Sequence, residues 1–522
     1  MITRSDDWYR EAVWYEVAVH SFCDSNGDGF GDISGLSERL DYLQWLGITA
    51  IWMLPILPSP MRDGGYDVTD LTGVRDEYGT LDDVRELLDA AHARGMRVIT
   101  DFVVNHTSDQ HPWFTEARQP GSPKRDWYVW SDSPDRYSGA RVIFVDTHDS
   151  NWSWDEVAGQ YYWHRFFDHQ PDLNFENPDV QQAVIDAIGF WLELGFDGLR
   201  LDAVPYLFED DETNCENLPA THAYLKRVRA AVEAQNPDAI LLAEANQWPS
   251  DLLPYFGNGD ECHMAFNFPI MPRLFLAIAT GDVTSILETL LDLPEIPVGT
   301  QWAVFLRNHD ELTLEMVSDA ERDVLNAVYA PDPKMRKNIG IRRRLSPLLG
   351  GDRRKIELLN AVLMSLPGSP IIYYGDEIGM GDNVGLYDRD GVRTPMQWDG
   401  TASAGWSQAG ADQFYLPLIA SSEYGPSAVN VAQQRTDESS LLNWMRTLIA
   451  ARPDEMGTET FTPIKTYDTG VLGYARGPFT VFANFTDETR SVSGVGGEVL
   501  AGNATIVDTT ATLPPYGWVW LQ

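Results

Sequence analysis

Eight short apolar runs recur along the chain, and the stretches between most of them place apolar residues at the spacing of an amphipathic helix. The runs are AVWYEV (12–17), AIWMLP (50–55), RVITDFVVNH (97–106), FDGLRLDAV (196–204), AILLAEAN (239–246), AFNF (265–268), AVFLRNHD (303–310) and SPIIYYGDE (369–377). Between them lie helix-like segments such as LSERLDYLQWLG, LDDVRELLDAAHARG and VQQAVIDAIGFWLELG. Eight β-then-α units predict an α/β protein with a mostly parallel sheet, and eight units can close as a (β/α)8 TIM barrel. The runs begin apolar and end polar, with His106, Asp202, Glu244, Asp310 and Glu377 at or near their carboxyl ends. A doubly wound open sheet would also put ligands there. No glycine-rich phosphate loop follows the first run, so the barrel is the expected fold.

Two stretches interrupt the alternation. Residues 105–175 are aromatic and irregular (WYVWSDSPDRYSG, NWSWDEV, QYYWHRFFDHQPDLN). They are too long for a plain βα loop and predict a domain inserted after strand 3. Residues 311–355 predict a helical excursion, basic near its end (KMRKNIGIRRRL). From residue 453 the pattern shortens to alternating runs (GVLGYAR, FTVFANFT, TATLPPYGWVWLQ), as in a C-terminal antiparallel β-domain. The expected organisation is thus 1–104 for the first part of the barrel, 105–175 inserted, 176–452 for the remaining barrel, and 453–522 for the β-domain.

Composition narrows the partners. Lys and Arg number 38 against 78 Asp and Glu, a net charge of −40. That balance argues against nucleic acid or an anionic membrane surface. Three scattered cysteines fit buried thiols in a reducing compartment better than a disulfide framework. The opening MITRSDDWYREAVWYE lacks a leader pattern, and no apolar run of membrane-spanning length appears. A soluble cytoplasmic protein follows as the expectation, with oligomeric state open.

The strand-end carboxylates carry the candidate chemistry. Asp202, Glu244 and Asp310 end GLRLD, AE and RNHD. A strand-end carboxylate is usually solvated or salt-bridged, but these have company. Arg200 lies two residues before Asp202, on the same side of a strand, where its charge would keep a nucleophilic carboxylate ionised. His106 and His309 add donors suited to sugar hydroxyls. Two carboxylates with different duties, one attacking as an anion and one delivering a proton, are what glycoside chemistry requires.

DFVVNH, GLRLDAV, AEAN and RNHD, in this order on strands three, four, five and seven, resemble the α-amylase family of retaining α-glucoside enzymes. The similarity covers essentially the whole chain. It implies Asp202 as nucleophile, Glu244 as general acid/base and Asp310 as the carboxylate that grips sugar hydroxyls. It also implies Arg200, His106 and His309 as sugar-contacting positions, and Asp67 of GGYDV as an acid at the closed end of the pocket. QPDLN (170–174) and DRDGVRTPMQW (388–398) are similar to the branch acting on short oligosaccharides and make Arg389 a cleft candidate; a surface ion pair with Asp388 or Asp390 is the alternative. Three stretches (203–229, 307–317 and 373–383) resemble members that interconvert maltose and α,α-trehalose. The implied reaction is that interconversion of a disaccharide, with minor hydrolysis. An α-glucosidase is the alternative, and a non-enzymatic relative would lack the carboxylates and carry a membrane anchor.

DSNGDGFGD (24–32) offers oxygen side chains at alternate positions and Gly29 at a sharp turn, like the start of an EF-hand, but Gly35 stands where the twelfth-position glutamate belongs. The resemblance implies a structural divalent ion held by Asp24, Asn26, Asp28, Asp32 and the carbonyl of Phe30. An Asx-rich turn without an ion suits the same residues. A second ion is suggested at Asn105, Asp172, Glu209 and the carbonyls of Tyr206 and Leu207; polar residues that only cap loops are the alternative. Hard oxygen ligands favour Ca²⁺, with Mg²⁺ the alternative at one site. No organic cofactor is expected.

Overall fold

The computed structural model describes residues 7–522; residues 1–6, the beginning of the first expected barrel segment, lie outside it. The eight runs form eight parallel strands: β1 (Trp14–Val17), β2 (Ala50–Met53), β3 (Arg97–Val103), β4 (Gly198–Asp202), β5 (Ile240–Ala243), β6 (Met264–Phe266), β7 (Gln301–Phe305) and β8 (Ser369–Tyr373). Each pairs with the next, and β8 returns to β1 with Trp14 opposite Ile371, so the barrel is closed. Nearly every strand residue is buried because one face fills the barrel and the other meets the helices. At Gly198 a Cβ would sit 2.3 Å from the Ile240 carbonyl, so the approach of β4 to β5 admits only glycine.

The strands are shorter than the runs. β3 stops at Val103, before Asn105 and His106, and β7 stops at Phe305, well before Asp310. The polar ends leave the ladder and splay into loops over the barrel mouth. The segment LSERLDYLQWLG is also broken: helices Ile33–Glu38 and Leu40–Leu46 meet at Arg39, whose φ of −102° and ψ of 1° interrupt the coil. The guanidinium of Arg39 lies over the Trp398 ring, 4.4 Å from its centroid. Elsewhere the local signals hold. Thr80 and Asp83 form a capping box for Leu81–Ala93, and Asn177 caps Pro178–Leu194, which ends at Gly195.

Within 105–175 a three-stranded antiparallel sheet (Trp130–Ser131, Trp152–Asp155, Gln160–Trp163) has its own aromatic core of Tyr137, Trp152 and Trp163. The 311–355 excursion is not wholly helical. Helix Asp319–Tyr329 is accompanied by a small sheet of Leu312–Thr313, Arg336–Lys337 and Gly340–Ile341. The reason lies in Gly340, which lets the chain close onto Glu311 and Leu312. After residue 460 a five-stranded and a three-stranded antiparallel sheet enclose Val471, Phe482, Val492, Leu513 and Val519. This β-domain meets the barrel through direct hydrogen bonds: Ser365 Oγ lies 2.6 Å from the Tyr474 hydroxyl, and the Val283 N–H donates to the Thr469 carbonyl at 2.8 Å. All three cysteines are free and buried. Among the described residues no helix is long and apolar enough to cross a membrane.

Candidate active site

The loops at the carboxyl ends of the barrel strands surround one cavity. Asp202, Glu244 and Asp310 all line it, with Asp63, Tyr66, His106 and Arg389. Phe144 and Phe166 reach it from the segment after β3, and Glu311, Thr313 and Glu315 from the segment after β7.

Arg200 organises the floor. Its Nη1 reaches Asp202 Oδ1 at 2.7 Å, and its Nη2 reaches Glu244 Oε1 at 2.8 Å. The same guanidinium is paired from below with Asp101 of β3, a fully buried carboxylate that also accepts the Trp52 indole N–H at 2.8 Å. One buried cation therefore holds the two candidate reacting carboxylates together. Ala203, next to Asp202, has φ 56° and ψ 33°, a left-handed conformation unusual for alanine. It turns the Ala203 N–H onto Glu244 Oε2 at 3.1 Å. The chain after the β4 carboxylate thus fixes the neighbouring one.

Burial raises both groups. Asp202 is pushed up to about 6, with Arg200 opposing the shift. Glu244 is pushed up to about 7 by burial, with Arg200 again opposing and the Asp202 and Asp310 charges adding to the rise. Asp310 behaves oppositely: burial pushes it up, but His309, Arg389 and Arg393 outweigh this and hold it well below the usual range. Near neutrality the site can therefore present a carboxylate at Asp310, a carboxylate at Asp202 and a proton on Glu244.

The remaining expected contacts sort clearly. His106 lines the cavity, its Nε2 3.2 Å from the Tyr66 carbonyl; burial lowers it to about 3, so it is a neutral imidazole. His309 lies beneath Asp310, with Nε2 3.2 Å from Asp310 Oδ2. Arg389 is not at the surface: although it pairs with Asp388 at 3.0 Å, it also reaches Asp63 Oδ1 at 2.6 Å and Asp310 Oδ1 at 2.9 Å.

Asp67 is corrected. It is fully buried away from the cavity, accepting from Ser59 Oγ at 2.7 Å and from the Arg62 N–H and Nε. The acid that reaches the cavity is Asp63. Gly64 and Gly65, at φ 57° and 105°, turn the chain after it so that Asp63 and Tyr66 face inward while Asp67 faces the loop.

Sequence reasoning also missed Tyr66, Asp101 and Arg393. Tyr66 and Arg393 stand inside the quoted GGYDV and DRDGVRTPMQW motifs, which were the available signal. The Tyr66 ring stacks on His309 with centroids 5.4 Å apart, and its hydroxyl lies 2.8 Å from His309 Nε2 and 3.2 Å from Asp101 Oδ2. Arg393 gives Asp310 a second cation at 2.9 Å.

The two sets of expected ion ligands differ. In the 24–32 loop every side chain already has a backbone donor: Asp24 accepts from Gly27 and Gly29, Asn26 from Asp28, Asp28 from Phe30, and Asp32 from Ser25 and Gly35. This is a set of Asx turns whose carboxylates keep spare acceptor positions. At the second set, Asn105 Oδ1, Asp172 Oδ2 and Glu209 Oε1 are buried without a hydrogen-bond partner. Burial raises Asp172 to about 8 and Glu209 well above its ordinary value, the condition of carboxylates that call for a cation. Among the described residues no three His, Cys, Asp or Glu side chains converge as a metal site, so an ion would also need the amide and carbonyl oxygens.

The mouth of the cavity is crossed by contacts between the two inserted segments. Arg141 Nη1 pairs with Glu315 at 2.6 Å, and Asp146 Oδ2 accepts the Asn338 N–H at 2.6 Å.

The chain matches the catalytic domain of the α-amylase family over residues 17–329 and 341–459. It is 56% identical over 482 residues to a trehalose synthase of Pimelobacter sp. (strain R48), covering 90% of this chain and 84% of that one. It is 57% identical over 477 residues to the trehalose synthase/amylase TreS of Mycolicibacterium smegmatis, covering 90% and 80%. Among solved structures, the α-glucosyl transfer enzyme XgtA superposes with a TM-score of 0.82 at 28% identity over 99% of both chains. The trehalulose synthase MutB from Pseudomonas mesoacidophila MX-45 superposes with 0.81 at 27% identity, over 98% and 99%. Eight parallel strands, a carboxylate-lined mouth and these matches together place the chain in the α-amylase family.

Proposed function

We propose that the protein interconverts maltose and α,α-trehalose by moving one glucosyl unit within the cavity. The observation that carries this reading is the floor of the cavity: a single guanidinium joins an attacking carboxylate, Asp202, to a proton-holding one, Glu244. The high identity to proteins named trehalose synthase supports the choice of substrate.

Asp202 attacks C1 of the non-reducing glucose, forming a C1–O bond as the C1–O4 bond breaks. Glu244 gives its proton to the departing O4. The covalent glucosyl-aspartate has inverted configuration. The freed glucose turns within the cavity and attacks C1 through its own O1, Glu244 takes that proton back, and the C1–Asp202 bond breaks. Two inversions restore the α configuration, and nothing is gained or lost overall. Tyr66 offers a flat face for the sugar ring, while Asp310, Arg389 and His106 offer hydroxyl partners. Phe144 and Phe166, with the Arg141–Glu315 pair above them, limit the entry of water, which would release glucose instead.

Maltose alone, followed by proton NMR, tests the reading. The α,α-trehalose anomeric signal is expected to exceed that of free glucose. Glucose without trehalose would make the protein a retaining α-glucosidase using the same carboxylates.

A structural Ca²⁺ belongs to the same reading, with Mg²⁺ as the alternative at one set. Asn105, Asp172, Glu209 and the carbonyls of Tyr206 and Leu207 would hold it at the junction of the inserted segment and the barrel, stiffening the loop after Asp202. A second ion at Asp24, Asn26, Asp28, Phe30 and Asp32 would be structural as well. Chelator is expected to lower the unfolding temperature of the native protein by several degrees. Asp172→Asn should reproduce part of that drop and Asp28→Asn the remainder; an unfolding temperature indifferent to chelator would remove both ions.

A further inference from the structure

We propose that Glu16, at the carboxyl end of β1, is a positioning residue that holds the His309 imidazole with its Nε2–H directed at Asp310. Glu16 is fully buried, and its Oε1 lies 2.6 Å from His309 Nδ1 and 3.1 Å from the His309 backbone N–H. One carboxylate oxygen thus fixes both the ring and the peptide that carries it.

The other ring nitrogen decides the protonation state. Nε2 sits 3.2 Å from Asp310 Oδ2 and 2.8 Å from the Tyr66 hydroxyl. With the Glu16 carboxyl at one nitrogen and the Asp310 carboxylate at the other, both are satisfied when Nδ1 donates to Glu16 and Nε2 to Asp310. Tyr66 can accept from Nε2 because its own proton has Asp101 Oδ2 to go to, at 3.2 Å. The imidazole is therefore a fixed cation sandwiched between two carboxylates.

The other charged groups around the ring agree. From the loop after β8, Arg393 donates to the His309 carbonyl at 2.9 Å and to Asp310. Arg389 meets Asp310 from the same loop. Asp101 and Arg200 face the ring from β3 and β4 through Tyr66. His20, after β1, is buried and driven to about 3, so it is neutral. Burial works against a charge on His309, but Asp310 and Glu16 outweigh it and raise the group to about 9. The consequence for Asp310 is a full negative charge in a fixed orientation, ready to accept sugar hydroxyls. That last step rests on the reading of Asp310 given above.

Protein labelled with ¹⁵N-histidine tests the assignment, with His309 identified by its loss in His309→Asn. In the wild type both ring nitrogens should carry protons at pH 7.5. In Glu16→Gln the titration midpoint should fall by about one to three pH units, as for loss of an adjacent opposite charge. Because Glu244, near 7, already sets the alkaline limb of kcat/KM on maltose, that limb should move down only once the His309 midpoint falls below it, while Glu16→Asp restores part of the shift. A neutral His309 in the wild type overturns the proposal, and so does an unmoved midpoint in Glu16→Gln. Should that variant not fold, the wild-type spectrum decides alone. A wild type without activity on maltose would sink the proposed reaction yet leave the imidazole readout standing.

Discussion

Asp202→Asn is expected to lose at least about 10⁴-fold in kcat on maltose while becoming more stable. The loss follows from replacing the carboxylate that bonds C1 with an amide, which is a poor nucleophile. The gain follows from burial. In the folded protein the Asp202 carboxyl is raised to about 6, above its unfolded value, so its charge is a cost to folding at higher pH. Below the unfolded value both states are protonated and the cost vanishes; it grows between the unfolded and the folded value and is complete above the latter. Asparagine resembles the protonated form, so at pH 7.5 the variant should gain up to about 3 kcal/mol from a shift of this size. Unfolding measured at pH 7.5 and again at pH 4 checks the sign, since the difference should shrink at the lower pH. Equal stability at both would mean that Asp202 is better solvated than its surroundings indicate.

Glu244→Gln should separate the two chemical duties. On maltose, kcat should fall by about 10²- to 10⁴-fold, the usual worth of general acid catalysis. On α-glucosyl fluoride, whose leaving group needs no proton, formation of the covalent adduct should be nearly unimpaired. The pH profile sharpens this. With Asp202 near 6 and Glu244 near 7, maltose turnover should follow a bell with its maximum between these values. The acid limb reports protonation of the nucleophile and the alkaline limb deprotonation of the acid. In Glu244→Gln with the fluoride, pre-steady-state adduct formation should keep the acid limb and lose the alkaline one. Persistence of both limbs would assign the acid to another group.

The strands, and the three carboxylates at or beyond their carboxyl ends, were legible because each strand is a local pattern and each motif spans only a few residues. What could not be read was direction within a loop. GGYDV contains both Tyr66, which faces the cavity, and Asp67, which does not; the deciding feature is the pair of left-handed glycines, whose effect on later residues is geometric. Asp101 and Glu16 were hidden for a different reason. Both sit inside apolar strands and matter only through partners about 100 and 293 positions away. The excursion after β7 read as helix because Ser318 caps a genuine helical segment, whereas its two-residue strands are too short to leave a periodic trace.

The bridge between Arg141 and Glu315 joins two segments that supply none of the reacting atoms. On the proposed reaction, how long a loose sugar stays beside the covalent adduct would then depend on side chains that take no part in the bond being exchanged. Evolution can adjust the partition between solvent capture and recapture by altering those segments alone, leaving the chemical centre untouched. Proteins sharing the same three carboxylates can in this way diverge from breaking sugars apart to rearranging them.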